Sequence, residues 1–178
     1  QAGKARAALP YFEQALAAAR GRFGQDDPRN AAELNNLGEV YRQVGRYDDA
    51  ERVLKEALRL DERGQRPAVE GLATTLNNLA LVYRSRGRPA EALPLYERSL
   101  ALLERGSGPD HPDVARSLNN LAVLHLEQKD PARALPLAER ADAIARRQLA
   151  PEDPTVKLLA ANLAAIRAAL GKPAAGPV

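Results

Sequence analysis

Leu34-Asn35-Asn36-Leu37 recurs as Leu76-Asn77-Asn78-Leu79 and again as Leu118-Asn119-Asn120-Leu121, 42 residues apart each time. One period further on stands a degenerate copy, Ala160-Ala161-Asn162-Leu163. A second block keeps the same register, Gly45-Arg46-Tyr47-Asp48-Asp49-Ala50 aligning with Gly87-Arg88-Pro89-Ala90-Glu91-Ala92. One period earlier lies Gly3-Lys4-Ala5-Arg6-Ala7-Ala8, and one period later Lys129-Asp130-Pro131-Ala132-Arg133-Ala134. Two motifs locked to one period mark a repeat architecture, in which each unit is a supersecondary element that cannot bury its apolar face alone.

Each period reads as two helices. The first carries apolar residues at helical spacing, Leu34, Leu37, Val40 and Tyr41, then Leu76, Leu79, Val82 and Tyr83. The second repeats the pattern with Ala50, Val53, Leu54, Ala57 and Leu58, then Ala92, Leu95, Tyr96 and Leu100. Between them, Gly45 and Gly87 suit the left-handed residue that follows a helix end. Pro89 and Pro131 fit a first helical turn, where no backbone donor is lost. The longer connections carry Asp27-Pro28, His111-Pro112 and Asp153-Pro154 at matching positions, so Asp27 and Asp153 are expected to cap the next helix. Pro10, Pro94 and Pro136 fall inside second helices, against the usual cost of about 3 kcal/mol. The expected fold is all-α, a right-handed superhelical solenoid of stacked antiparallel helix pairs.

Composition agrees with this reading and narrows the chemistry. Of 178 residues 45% are hydrophobic, enough for a sizeable core, and Ala and Leu dominate over β-branched and aromatic residues. Cysteine is absent, which removes disulfides, thiolate metal sites and thiol nucleophiles. A net charge of +3 with interleaved signs is no nucleic-acid footprint. No apolar run reaches the ~18 residues of a membrane span, and no signal peptide opens the chain. A start at Gln1 within an apparent helix is read as a fragment of a longer protein, and the expected compartment is cytoplasmic.

The residues quoted resemble the tetratricopeptide repeat (TPR). Its pattern of a large residue, Leu-Gly and Tyr, then Ala, a large residue and Ala, stands here as Leu34, Leu37-Gly38, Tyr41, Ala50, Leu54 and Ala57. The next copies read Leu76, Leu79-Ala80, Tyr83, Ala92, Tyr96 and Ser99, then Leu118, Leu121-Ala122, His125, Ala134, Ala138 and Ala141. The 42-residue period, the Asn pairs and Gly108-Pro109-Asp110-His111-Pro112-Asp113-Val114 resemble the kinesin-light-chain subtype, which is also widespread in bacterial scaffolds. On this resemblance residues 1–171 form one solenoid. It comprises a half repeat 1–24, full repeats at about 25–66, 67–108 and 109–150, and a half repeat 151–171. Residues 172–178 are read as a disordered tail, and Gly64–Leu72 departs from the pattern.

The resemblance implies a non-catalytic binding scaffold whose concave groove is lined by first helices. Carried over by position, the groove presents Asn35, Glu39 and Arg42, then Asn77, Leu81 and Arg84, then Arg116, Asn119, Val123 and Leu126. An Asn amide offers two donors and an acceptor, so Asn35, Asn77 and Asn119 could hold an extended peptide backbone. Leu81, Val123 and Leu126 would add apolar contact, and the arginines would favour an acidic partner. The plainer reading, expected for the second Asn of each pair (Asn36, Asn78 and Asn120), is that they bridge adjacent helices. Asn35 and Asn77 stand where a carboxylate-clamp TPR would carry lysine, which argues against that activity. Neither His111 nor His125 belongs to a catalytic or metal-ligand constellation, and no phosphate loop or nucleophile elbow is present. No cofactor or metal is expected, and neither nucleic acid nor membrane insertion. A second reading is self-assembly into a homo-oligomer through the terminal helices. Leu158, Leu159, Leu163, Ile166 and Leu170 would supply an uncovered stripe for it.

Overall fold

The computed structural model describes residues 2–63 and 69–171, so the expectations for residues 172–178 and for the start of Gly64–Leu72 lie outside it. Among the described residues the helices are α1 (Ala2–Phe23), α2 (Ala31–Gln43), α3 (Tyr47–Arg63) and α4 (Val69–Ser85). They continue as α5 (Pro89–Gly106), α6 (Pro112–Glu127), α7 (Pro131–Gln148) and α8 (Pro154–Ala169). A single 3-10 turn, Pro28–Asn30, precedes α2. The chain forms two compact units, Gln1–Ser99 and Leu100–Val178.

The turns inside the repeats are built alike. Gly45 and Gly87 have φ of 81° and 68°, and Lys129 takes their place in the third copy with φ 61°. A lysine there accepts a conformation that a Cβ disfavours by roughly 1–2 kcal/mol, because the hydrogen bonds demand it. Arg46 N–H reaches Tyr41 O at 2.8 Å and Gly45 N–H reaches Arg42 O at 3.1 Å. The same pair recurs as Arg88 to Tyr83 (2.9 Å) with Gly87 to Arg84 (3.0 Å), and as Asp130 to His125 with Lys129 to Leu126, both 2.9 Å. This Schellman closure satisfies the orphan carbonyls of each first helix.

Starts of helices are capped from the side chains the connections supply. Asp27 accepts from Arg29 N–H at 2.9 Å, but it opens the 3-10 turn and not α2 itself. Asp153 caps α8 by accepting from Thr155 N–H at 2.7 Å, and Asp130 caps α7 through Arg133 N–H at 3.1 Å. At the register of Asp27 and Asp153, His111 caps α6, its Nδ1 accepting from Asp113 N–H at 3.2 Å. Pro10, Pro94 and Pro136 sit within α1, α5 and α7 without breaking them. All three rings are exposed, and so are Arg6, Ala90 and Ala132 one turn before, so water can take each freed carbonyl.

In the first unit, α2 packs on α1, α3 and α4, and Leu34, Leu54, Leu60 and Leu76 are fully buried. The approach of α2 to α3 depends on Gly38. A Cβ there would stand 2.5 Å from Leu54 Cγ, closer than any packed contact. Further along, Ser99 Oγ donates to Ala73 O at 2.8 Å. In the second unit Ala122, Ala134, Ala138, Leu163 and Ile166 form one apolar cluster, with Leu126, Leu135 and Leu137 packed around it. The stripe on α8 expected to stand uncovered is therefore mostly covered. Leu159, Leu163 and Ile166 are buried because α8 turns them back onto the preceding helices, while Leu158 is 56% exposed.

Candidate binding surface

The Asn pairs form a bridge between successive first helices. In the first unit the Asn35 amide donates to Ala31 O at 3.1 Å and to Thr75 Oγ1, and its Oδ1 lies 3.5 Å from the Asn78 amide nitrogen. In the second unit Asn162 donates to Asn119 Oδ1 at 2.8 Å. Each bridge thus takes the first Asn of one repeat and the second Asn of the next. Asn35 and Asn119, expected to face a peptide, are both 7% exposed and turn their amides into the helix packing, where each meets the second Asn of the next repeat. A buried amide with unmet hydrogen bonds is costly, and here the neighbouring helix meets them.

Behind Asn35 the bridge extends to residues that the motif did not single out. Thr75 is fully buried, and its hydroxyl donates to Asp61 Oδ2 at 2.6 Å. Burial raises the Asp61 carboxyl above its usual range, the Thr75 hydroxyl opposes that shift, and Glu62 adds to it. The signal available in the sequence was a small hydroxyl residue directly before the Leu-Asn-Asn tetrad. Thr75 and Ser117 share that position, and Ser117 is buried as well.

The remaining candidates lie more openly. On α2, Arg42 forks onto Glu39 at 2.7 and 2.6 Å, and Gln43 donates to Glu39 at 2.8 Å. Burial acts to raise the Glu39 carboxyl, but these hydrogen bonds outweigh it and the net shift is downward. On α4, Asn77, Leu81 and Arg84 occupy successive turns of one face, and all three are half-buried. On α6, Arg116 is exposed and held by Asp113 at 2.9 Å, and Val123 is half-buried. Leu126 leans into the apolar cluster of its unit. The structure thus gathers Glu39 with Arg42 on α2, and Asn77 with Leu81 and Arg84 on α4. Asn35 and Asn119 are drawn into the helix packing.

Among the described residues no group of His, Asp and Glu could hold a metal ion, and no helix is long and apolar enough to cross a membrane.

Residues 1–63 and 71–147 match the tetratricopeptide repeat family. The crystal structure of BtubC (BKLC) from P. vanneervenii is similar, with a TM-score of 0.79 at 30% identity, covering 95% of this chain and 67% of that one. The TPR-like repeats of a kinesin light chain from Podosopora anserina give 0.74 at 23% identity, over 95% of this chain and 80% of that one. The MamA protein gives 0.60 at 17%, over 95% and 75%. The last two likenesses show the fold alone. No curated protein sequence matches the chain. With helix pairs in a 42-residue register, Schellman turns between them and a family match across most of its length, the chain belongs to the tetratricopeptide repeat family.

Proposed function

We propose that the chain is a non-catalytic module that binds a protein or an extended peptide along its first-helix faces. Tetratricopeptide repeats are interaction scaffolds, and that much follows from the family. The finer reading rests on α4, where Asn77, Leu81 and Arg84 share one half-buried face. An amide, an aliphatic side chain and a guanidinium at successive turns suit a peptide with main-chain contacts, an apolar anchor and an acidic residue. On α2, Glu39 and Arg42 lie at the register of Leu81 and Arg84, and on α6 Val123 and Leu126 do so within their own unit, with Arg116 at the register of Thr74. Because Asn35 and Asn119 are engaged within the protein, their contribution is to fix the spacing of the first helices.

The test is a peptide-array screen against the full chain, repeated with Leu81→Glu and Arg84→Glu. Retained helicity is checked by circular dichroism. Acidic peptides with an apolar anchor should be held by the native chain and lost from both variants. An array with no selective binder, or binders indifferent to both substitutions, would remove this face from consideration.

A further inference from the structure

Four first helices share one register at Glu39, Leu81, Val123 and Ala165, and only α2 places a charge there. The register three residues on reads Arg42, Arg84, Leu126 and Ala168, so α2 alone sets a carboxylate one turn before a guanidinium at these positions. The two close as a fork. Arg42 Nε donates to Glu39 Oε2 at 2.7 Å and Nη2 to Oε1 at 2.6 Å, while Gln43 donates to Oε1 at 2.8 Å. Both side chains are half-buried, at 25% exposure for Arg42 and 31% for Glu39. The position of this register does not depend on what precedes α2. With α2 packed before α4, Leu81 and Arg84 are half-buried in the same way as Glu39 and Arg42. A bidentate carboxylate on a guanidinium is also the contact that an Asp or Glu of a bound peptide would make.

We propose that Glu39 is a built-in competitor for an acidic residue of the bound peptide, closing the Arg42 subsite to it. This rests on the reading of the first-helix faces as a peptide site. A carboxylate one turn away on the same helix is always at hand, and it gives up no translational freedom when it meets the guanidinium. A peptide must bring its own carboxylate and first expel Glu39. Expulsion strips an ionised group of three hydrogen bonds and crowds two acids onto one cation. A peptide that carries a second acid for α2 therefore gains nothing from it. On α4 the register of Glu39 is held by the aliphatic Leu81, which offers apolar contact and carries no charge. Glu39 thus sets how many acids the face rewards.

The probes are labelled peptides with an apolar anchor and either one glutamate or two, the second placed at each position in turn. They are titrated into the full chain by fluorescence anisotropy, and circular dichroism checks the helicity of every variant. The native chain should hold both classes alike, and Arg42→Gln should change neither. Glu39→Gln, and Glu39→Leu as a copy of the α4 arrangement, should each raise the affinity of the best two-glutamate peptides about tenfold. That is the worth of one hydrogen bond to a charged group. One-glutamate peptides should change much less, and adding Arg42→Gln should cancel the gain. The two substitutions at position 39 differ in shape and polarity, so a gain common to both belongs to the lost carboxylate. Two-glutamate peptides held equally by native and variant chains overturn the proposal and leave the binding face standing. So does a loss on Arg42→Gln in the native background, because Arg42 would then read the peptide with Glu39 in place. If no chain holds any peptide, or Leu81→Glu changes none of the titrations, the reading of the face falls and the proposal falls with it.

Discussion

Helices α1 and α8 each meet first-helix packing on one side and treat their other side in opposite ways. On α1 the residues at the register of a buried second-helix stripe keep their apolar chemistry, as Tyr11 and Phe12. On α8 the register of Ala31 and Tyr41 is taken by Lys157 and Arg167, and that of Leu34 by Ala160. Arg167 turns back toward the preceding helix and bonds Glu139 of α7 at 3.1 Å, as Tyr41 bonds Glu13 of α1 at 2.8 Å. At Lys157 and Ala160 the register that α2 buries as Ala31 and Leu34 is charged or small, while on α1 the register of Val53 and Leu54 keeps aromatic side chains. Residues of one register therefore follow what packs against them, while the turns that set local geometry persist.

The largest expected effects come from comparing one register position in two surroundings. Leu54→Ala, at a fully buried site, should cost about 2–5 kcal/mol in urea unfolding, from lost transfer energy and the cavity left behind. Ile166→Ala, equally buried on α8, should fall in the same range of about 2–5 kcal/mol. Phe12→Ala should cost less than half of the Leu54 value, although Phe is the larger side chain, because much of it already faces solvent. Equal costs at positions 12 and 54 would mean that the α1 face is covered in solution, and would break the contrast.

A smaller effect tests why Leu54 is buried at all. Gly38→Ala places a Cβ 2.5 Å from Leu54 Cγ, and Cγ cannot swing aside as a chain end would. Overpacking of this kind costs about 1–3 kcal/mol, against a gain of roughly 1 kcal/mol for replacing glycine within a helix. A net loss of about 0–2 kcal/mol follows from those two figures. Gly38→Ala with Leu54→Ala should lose less than the sum of the two single changes, since the two residues share one contact. A stabilised Gly38→Ala would show that α2 can shift, and that the small residue is not what admits it.

How much of this could be read from the sequence varies with the physics involved. The period, the helix pairs and their turns were legible because a 3.6-residue apolar pattern and a left-handed glycine are local signals. Lys129 at the third turn was placed by register alone, since lysine gives no such signal. The role of the Asn pairs was harder. An amide can serve a ligand or a neighbouring helix with the same atoms, and only the spacing of α2 and α4 places Asn35 against Thr75 and Asn78. Asp61 was invisible for the same reason, because its partner Thr75 lies on another helix. The burial of Leu159, Leu163 and Ile166 is not legible in the apolar stripe of α8 alone, because only the placement of α6 and α7 decides which side of it is covered.

A smaller effect is expected where α8 carries Arg167 at the register of Tyr41 and Tyr83. Arg167 reaches Glu139 of α7 as Tyr41 reaches Glu13 of α1, so Arg167→Tyr exchanges one surface ion pair of about 0–1 kcal/mol for a hydroxyl at the same place. The unfolding midpoint in urea should move little. A large drop would mean that the pair to Glu139 holds α8 more firmly than a surface ion pair does.

The smallest effect distinguishes the two caps that share a register, Asp27 before α2 and Asp153 before α8. Asp27 is held at about 2 by the Arg29 guanidinium first and the Arg29 backbone N–H second. Asp153 is lowered by the Thr155 backbone N–H first and then by its side chain. Both folded values lie below the ordinary 3.8. The stabilisation from each is therefore present in full above that value and is lost as pH falls through the folded one. Asp61 runs the other way: its raised value makes its contribution largest below 3.8 and lost as pH rises through the folded value. In thermal melts between about pH 5 and pH 2, Asp27→Asn and Asp153→Asn should each flatten the acid decline. Added salt should weaken the effect at Asp27, where a guanidinium supplies most of the shift, more than at Asp153, where the donor is a neutral N–H. Equal salt sensitivity at the two sites would show that Asp27, capping the 3-10 turn before α2, works through the backbone N–H as Asp153 does, and that the Arg29 guanidinium is incidental to it.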